Sequence, residues 1–233
     1  MSKRAGKAGE DQHLRATDRS VQDFLRLAPT YGIEPTPGQV EQIRTFVGEL
    51  LRWNKKMNLT AARDAAEVLL RHVLDSLVPA AHLAGVRRLL DIGPGGGFPG
   101  IPLKVFMPEV FIVLIEARRK KAAFNQHVVD CLGLRAIEVL WARLGDEAVD
   151  DRFSADPFDA AISRATFSGT QILEHTARVL RPGGQIILMK GAMDEAQQRA
   201  LKEEVRNKGR RVVRVWPYRL PGSSRAKNLV VIS

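Results

Sequence analysis

A chain of 233 residues with 45% hydrophobic side chains holds enough apolar material for one large domain, or for a domain with an appendage. Its 36 Lys and Arg against 26 Asp and Glu leave a formal charge of +10, which points to a polyanionic partner, nucleic acid or a membrane surface. One cysteine excludes a disulfide framework and a cysteine-rich zinc site. With no signal-peptide pattern and no apolar run long enough to span a bilayer, the expectation is a soluble, cytoplasmic protein without metal.

Residues 1–20 begin Ser2-Lys3-Arg4-Ala5-Gly6-Lys7, are polar and lack periodicity, and read as a flexible basic tail. Thr36-Pro37-Gly38-Gln39 then opens a helix with a capping box and Pro at the first helical position. Val40, Ile43, Val47, Leu50 and Leu51 form its apolar stripe. The asparagines of Trp53-Asn54-Lys55-Lys56-Met57-Asn58-Leu59-Thr60 suggest a turn. A second helix starts near Asp64 and carries Val68, Leu69, Val73 and Leu77. On it, Arg71 and Asp75 are spaced i,i+4 and His72 and Asp75 i,i+3, so the three can share a face, for which a surface salt bridge is the plainer account. Residues 21–85 read as a helical N-terminal module.

Leu89-Leu90-Asp91-Ile92-Gly93-Pro94-Gly95-Gly96-Gly97-Phe98-Pro99-Gly100 is an apolar strand feeding a Gly-rich turn, and 101–106 read as the helix that follows. Strand, turn and helix N-terminus together make a cofactor seat. A phosphate-binding P-loop is excluded, because Ile101-Pro102 stands where Lys-Ser/Thr is needed. A dinucleotide fingerprint fits Gly95-Gly96-Gly97-Phe98-Pro99-Gly100 only three residues late after the strand. The register that starts directly off the strand, Asp91-x-Gly93-x-Gly95-x-Gly97, is the pattern of S-adenosylmethionine-dependent methyltransferases. A plain Gly-rich connector is the remaining alternative.

From Arg88 onward strands alternate with helices, which calls for a mostly parallel α/β sheet over residues 86–233. Strands are expected at 110–115, 136–140, 158–163 and 185–190, with helices at 118–132, 172–180 and 194–208. Segments 211–216 and 229–232 flank Pro221-Gly222 as an antiparallel hairpin. Glu116 closes the second strand about 25 positions after Asp91, near the spacing at which a carboxylate takes ribose hydroxyls. Arg118, Arg119, Lys120 and Lys121 open the next helix, and Lys202, Arg206, Lys208, Arg210, Arg211 and Arg214 crowd the tail. Such clusters suit phosphates, although a solvated helix face explains the second one equally well.

Five motifs now stand in order: the 53–60 run, Arg71-His72-Val73-Leu74-Asp75-Ser76, the 91–103 glycine stretch, Ile162-Ser163-Arg164-Ala165 and Lys190-Gly191. In order and rough spacing they resemble the bacterial RsmG family, long called GidB, from about residue 40 to the C-terminus. The resemblance implies a Rossmann-like class I methyltransferase that uses S-adenosylmethionine to methylate N7 of one guanosine in 16S rRNA. Its substrate would be that rRNA or a small-subunit particle, and the enzyme is expected to be a monomer. Carried over by position, the family's cofactor contacts fall on Gly93, Phe98, Leu144, Gly145 and Arg164, beside Gly95, Gly97 and Glu116 from the reading above. Two departures stand out. Arg143-Leu144-Gly145-Asp146 replaces the family's usual Arg-Ala-Glu or Arg-Val-Glu, and Glu116 replaces a common Asp.

Guanine N7 carries an in-plane lone pair and no proton at neutral pH, so its methylation needs positioning rather than a general base. Cytosine C5 methylation needs a nucleophilic cysteine. Cys131, in an apolar helix end, is expected in the core. Asp75 and Lys190 are the candidates for holding the substrate, with Arg71 and His72 beside them on RNA. Two rivals remain at this stage: a non-catalytic RNA-binding assembly factor on the same fold, and a methyltransferase of small molecules.

Overall fold

The computed structural model describes residues 18–164 and 169–233. The basic tail through residue 17 lies outside the described residues, and residues 18–20, counted in that tail above, already belong to a helix. This helix, α1 (Asp18–Leu27), exists because Val21, Phe24 and the following Ala28 fall on one face and are buried. A 3-10 turn, Ala28–Tyr31, leads to α2 (Pro37–Met57). Thr36 and Gln39 form the reciprocal capping box at its start, and Asn58 ends it in the left-handed conformation at φ 49°. Its buried stripe is Ile43, Phe46, Val47, Leu50 and Leu51.

Asp64 caps the next helix by accepting from Glu67 N at 2.8 Å. That helix, α3, runs on through Ala65–Val68, a π turn Leu69–Val73 and Leu74–Leu77. After a second 3-10 turn, Val78–His82, the alternating part follows. It comprises β1 (Arg88–Ile92), α4 (Gly100–Phe106), β2 (Phe111–Glu116), α5 (Arg119–Cys131) and β3 (Ile137–Trp141). It continues through α6 (Glu147–Ser154), β4 (Phe158–Arg164), α7 (Gly169–Thr176), β5 (Leu180–Gly191), α8 (Glu195–Asn207), β6 (Val212–Arg219) and β7 (Ala226–Ile232).

The seven strands form one sheet in the order β3-β2-β1-β4-β5-β7-β6. Strands β1 to β5 are parallel, and β7 inserts antiparallel between β5 and β6. Successive strand residues point to opposite faces, so Leu89 packs with the N-terminal helices, α4 and α5, while Leu90 packs with α6, α7 and α8. Burying a Phe of this core is worth about 1.5–3 kcal/mol. Phe46 of α2 and Phe98 of the glycine turn meet at 5.2 Å between ring centres, which ties the N-terminal helices to the turn. Among the described residues, no helix is long and apolar enough to cross a membrane.

Several boundaries differ from the sequence reading, and the C-terminal strands run longer than expected, Val212–Arg219 and Ala226–Ile232. The helix expected at 172–180 ends at Thr176, and β5 begins at Leu180 rather than Gln185. Arg181-Pro182-Gly183-Gly184 is an irregularity inside that strand, where the register against β4 jumps from Leu180 to Gln185. Cys131, expected in the core, is exposed. It is the last residue of α5, and its Sγ sits 3.5 Å from Nε2 of His127, a residue that faces α2 at Glu49 and Trp53.

Candidate active site

The sheet order reverses between β1 and β4, and a cavity of about 730 Å³ opens there beyond the carboxyl ends of β1 to β4. Its volume is within the range of ligand clefts, about 300–1,000 Å³. Gly93 leaves β1 at φ 68° and donates its N–H to Ile115 O at 2.9 Å, which turns the chain across the end of β2. Gly95, at φ 59°, donates to Glu116 Oε2 at 3.0 Å, and Glu116 Oε1 accepts from Arg118 N at 2.8 Å. Each carboxylate oxygen keeps a lone pair for a ligand. A Cβ on Gly95 would meet nothing nearer than Lys121 Nζ at 3.8 Å, so the bare Cα faces open space.

The acidic residue of the motif works from behind. Asp91 is buried, and its Oδ2 accepts from Gly100 N, the first residue of α4, at 2.7 Å. Burial pushes its carboxyl up to about 7. Gly100 has no room for a side chain, since a Cβ would lie 2.3 Å from Leu114 and 2.6 Å from Asp91 Oδ2.

Arg164, at the end of β4, lines the cavity and is held on several sides. Its guanidinium lies over the Phe98 ring at 4.8 Å and pairs with Asp75 Oδ2 at 3.5 Å. Asp75, 1% exposed, also pairs with Lys227 at 2.8 Å and accepts from the Tyr218 hydroxyl at 2.8 Å. Burial and then the Asp75 carboxylate push the Tyr218 phenol above its ordinary value, which keeps it a donor.

His72 completes the arrangement. Arg164 faces its Nδ1 at 3.4 Å, so the proton belongs on Nε2, which sits 2.9 Å from Thr60 Oγ1. Burial first, then the Arg164 charge, lower this imidazole to about 4, and the ring is neutral at physiological pH. Asn54 sets Thr60 in place: its Oδ1 accepts from Leu59 N and Thr60 N, and its amide donates to Thr60 O.

The geometry can be set beside known proteins. The sequence model of GidB, described as rRNA small subunit methyltransferase G, matches residues 39–220. A ribosomal RNA small subunit methyltransferase G from Roseiflexus castenholzii is 36% identical over 214 residues, covering 91% of this chain and 90% of its own. The chain belongs to the GidB family. A second GidB relative of the same description, from Geobacter sp. strain M21, is 36% identical over 92% of this chain and 98% of its own. Among solved structures, a SAM dependent methyltransferase from Aquifex aeolicus gives a TM-score of 0.51 at 17% identity, over 63% of this chain and 81% of that one. TrmN from Thermus thermophilus gives 0.51 at 17% identity, over 71% and 53%. These two likenesses establish the fold, that of class I methyltransferases.

Of the residues singled out in this GidB sequence, Gly93, Gly95, Phe98, Glu116, Leu144, Gly145 and Arg164 all line the cavity, as do Arg118 and Lys121. Gly97 does not. A Cβ there would lie 2.5 Å from Ile101 Cδ1, so this glycine serves the packing of the turn onto α4. Gly145 is also tightly placed, at φ 93°, with His175 Nδ1 2.2 Å from where its Cβ would be. Asp146 spends Oδ2 on Arg143 N at 3.1 Å, closing the turn locally.

Other candidates lie elsewhere. Arg71 does not pair with Asp75; it points outward to Glu67 at 3.1 Å. The π turn between them widens the helix by one residue, and Asp75 turns inward. Lys190 is cross-strand from Asn228 and does not line the cavity. Arg119 is exposed and stacks over Trp141 at 5.3 Å, and Lys120 is exposed beside it. Tyr218 and Lys227 escaped the sequence reading, because only the cross-strand pairing of β6 with β7 brings them together under α3. Neither strand alternates in sequence or burial, so no local pattern marks these two residues.

Proposed function

We propose that this protein transfers a methyl group from S-adenosylmethionine to N7 of a guanosine in 16S rRNA, acting as a monomer on the rRNA or the small-subunit particle. The observation that carries the reading is the cleft itself, a glycine-lined seat with a carboxylate at the end of β2, in a chain of the GidB family. When bound, S-adenosylmethionine supplies an electrophilic methyl on a sulfonium. Glu116 accepts from the ribose hydroxyls with its spare lone pairs, Gly93 and Gly95 admit the ligand against bare backbone, and Leu144 and Gly145 border the adenine. Arg164, with its charge balanced by Asp75, keeps Phe98 and His72 in place on the side where the base enters.

N7 needs no proton removed, and the groups around Arg164 suit that requirement. His72 is neutral and already bonded on both ring nitrogens, and the Asp75 carboxylate is committed to three partners. They position, and hold water away, rather than move protons. Arg118 and Lys121 at the rim, with Arg119 and Lys120 beside them, take RNA phosphates.

The test is the modification itself. Small-subunit RNA incubated with the protein and S-adenosylmethionine should yield 7-methylguanosine by nucleoside mass spectrometry, and borohydride reduction followed by aniline should cut the 16S strand at one guanosine. Methyl incorporation without such a cut would put the methyl on another atom.

A further inference from the structure

A second concave surface lies at the outer edge of the sheet, away from the cleft. A groove of about 430 Å³ is lined by Arg199, Lys202 and Arg206 of α8 and by Arg210 and Arg211 at the entry to β6, against the carboxylate of Glu203. Strands β5 and β6 both run antiparallel to β7, so β6 is oriented like β5 and its entry is at the end of the sheet opposite the cleft. Four inter-strand spacings separate β1 from β6, about 19 Å at about 4.8 Å each.

Helix electrostatics does not account for this groove. The macrodipole favours a cation in the last turn, which covers Arg206 alone. Arg199 sits early in α8, and Arg210 and Arg211 lie beyond the helix. Solubility favours charge anywhere, but not convergence on one concavity. Two of the cations are also fixed in place, Arg210 by donating to Gly184 O at 2.9 Å and Arg211 by donating to Ser233 Oγ at 3.3 Å. Lys202 and Arg206 have no acidic partner within ion-pair distance among the described residues. Cations converging on one concavity match the closely spaced phosphates of an RNA strand.

We propose that this groove is a second docking site for the phosphate backbone of the substrate RNA, gripping a segment distinct from the one that enters the cleft. The proposal rests on the reading of the protein as an rRNA methyltransferase. A ligand that engages both places is a folded polyanion, so the groove selects assembled small-subunit RNA over a short oligonucleotide that fills the cleft alone.

The test compares the full chain with a Lys202→Glu, Arg206→Glu double variant and a charge-matched control, Arg26→Glu with Arg135→Glu. Binding to small-subunit particles is measured across a salt series, together with methyl transfer, S-adenosylmethionine affinity and the melting curve. Both groove positions are exposed, so the melting curve and cofactor affinity should stay as in the parent. The groove variant should bind particles at least tenfold more weakly at low salt. Its log K should fall less steeply with log salt, by roughly 0.7–0.9 for each lost phosphate contact. KM for the particle should rise with kcat kept, and the control should behave as the parent. An unchanged salt slope in a variant of a parent that methylates the particle would overturn the groove and leave the activity standing. Equal losses in the control would reduce the effect to net charge and overturn it too. Loss of binding to phosphatidylserine vesicles with particle affinity intact would assign the groove to a lipid surface instead. A parent that neither binds nor methylates the particle would remove both readings together.

Discussion

One side of the cleft is made by consecutive residues, 93–98, and offers mainly backbone. The support behind Arg164 is made by side chains from distant segments: Thr60 from the loop before α3, His72 and Asp75 from α3, Tyr218 and Lys227 from the last two strands. The first needs only local rules, a residue with positive φ here and no Cβ there. The second exists only when α3 lies on the sheet and β6 pairs with β7. The glycine side therefore depends on the shape of the chain at single positions, and the Arg164 side depends on charge balance among several.

Removing one charge should accordingly hurt more than distorting one glycine. Asp75→Ala leaves Arg164 and Lys227 facing each other without a counter-charge, and about 3–5 kcal/mol of stability should be lost, seen as a shifted denaturant midpoint. A loss below 1 kcal/mol would mean that water already reaches this pair. Tyr218→Phe keeps the ring and removes only the donor to Asp75, so about 1.5–3 kcal/mol is expected in the same measurement.

Gly95→Val places a β-branched residue at φ 59° with its side chain in the cavity. The strain should cost about 1–2 kcal/mol, so the protein stays folded, while titration calorimetry should find S-adenosylmethionine binding lost. Undiminished affinity in the folded variant would place the cofactor elsewhere.

The smallest effect is a near-cancellation. His72 falls to about 4 in the folded protein against an ordinary 6.5, so its contribution to stability is complete above 6.5 and is lost as pH falls to 4. Asp91 rises to about 7 from an ordinary 3.8, so its contribution is complete below 3.8 and is lost as pH rises through 7. The two slopes oppose each other between about pH 4 and 6.5, and these two groups together should leave stability nearly level there. Asp91→Asn, which still accepts from Gly100, should uncover stability that rises with pH. His72→Gln should uncover the falling limb. Parallel curves in both variants would show that neither group titrates where its burial implies.

How much of this was legible follows the same division. The glycine turn, Glu116 at the end of β2, the alternation of strands with helices and the capping box of α2 each come from local runs of residues. Arg164, Leu144 and Gly145 were reached by resemblance, but what holds Arg164 was not. The i,i+4 spacing of Arg71 and Asp75 predicts a surface pair only in a regular α-helix, and the π turn at Leu69–Val73 has no sequence mark that spacing detects. Gly97 looked like its neighbours in the motif, and only the position of Ile101 distinguishes a glycine that packs from one that faces a ligand.

The contact between Gly145 and His175 also limits the order in which these two positions can be substituted. Position 145 holds a residue with no Cβ, and the imidazole occupies the space that one would need, 2.2 Å away. Placing a side chain such as Glu at 145 therefore requires the His175 ring to move. The space opens when His175 is replaced by something small, and even then φ 93° has to relax. The two positions are sterically coupled, so the same substitution at 145 is harmful with His175 in place and permitted with a small residue there.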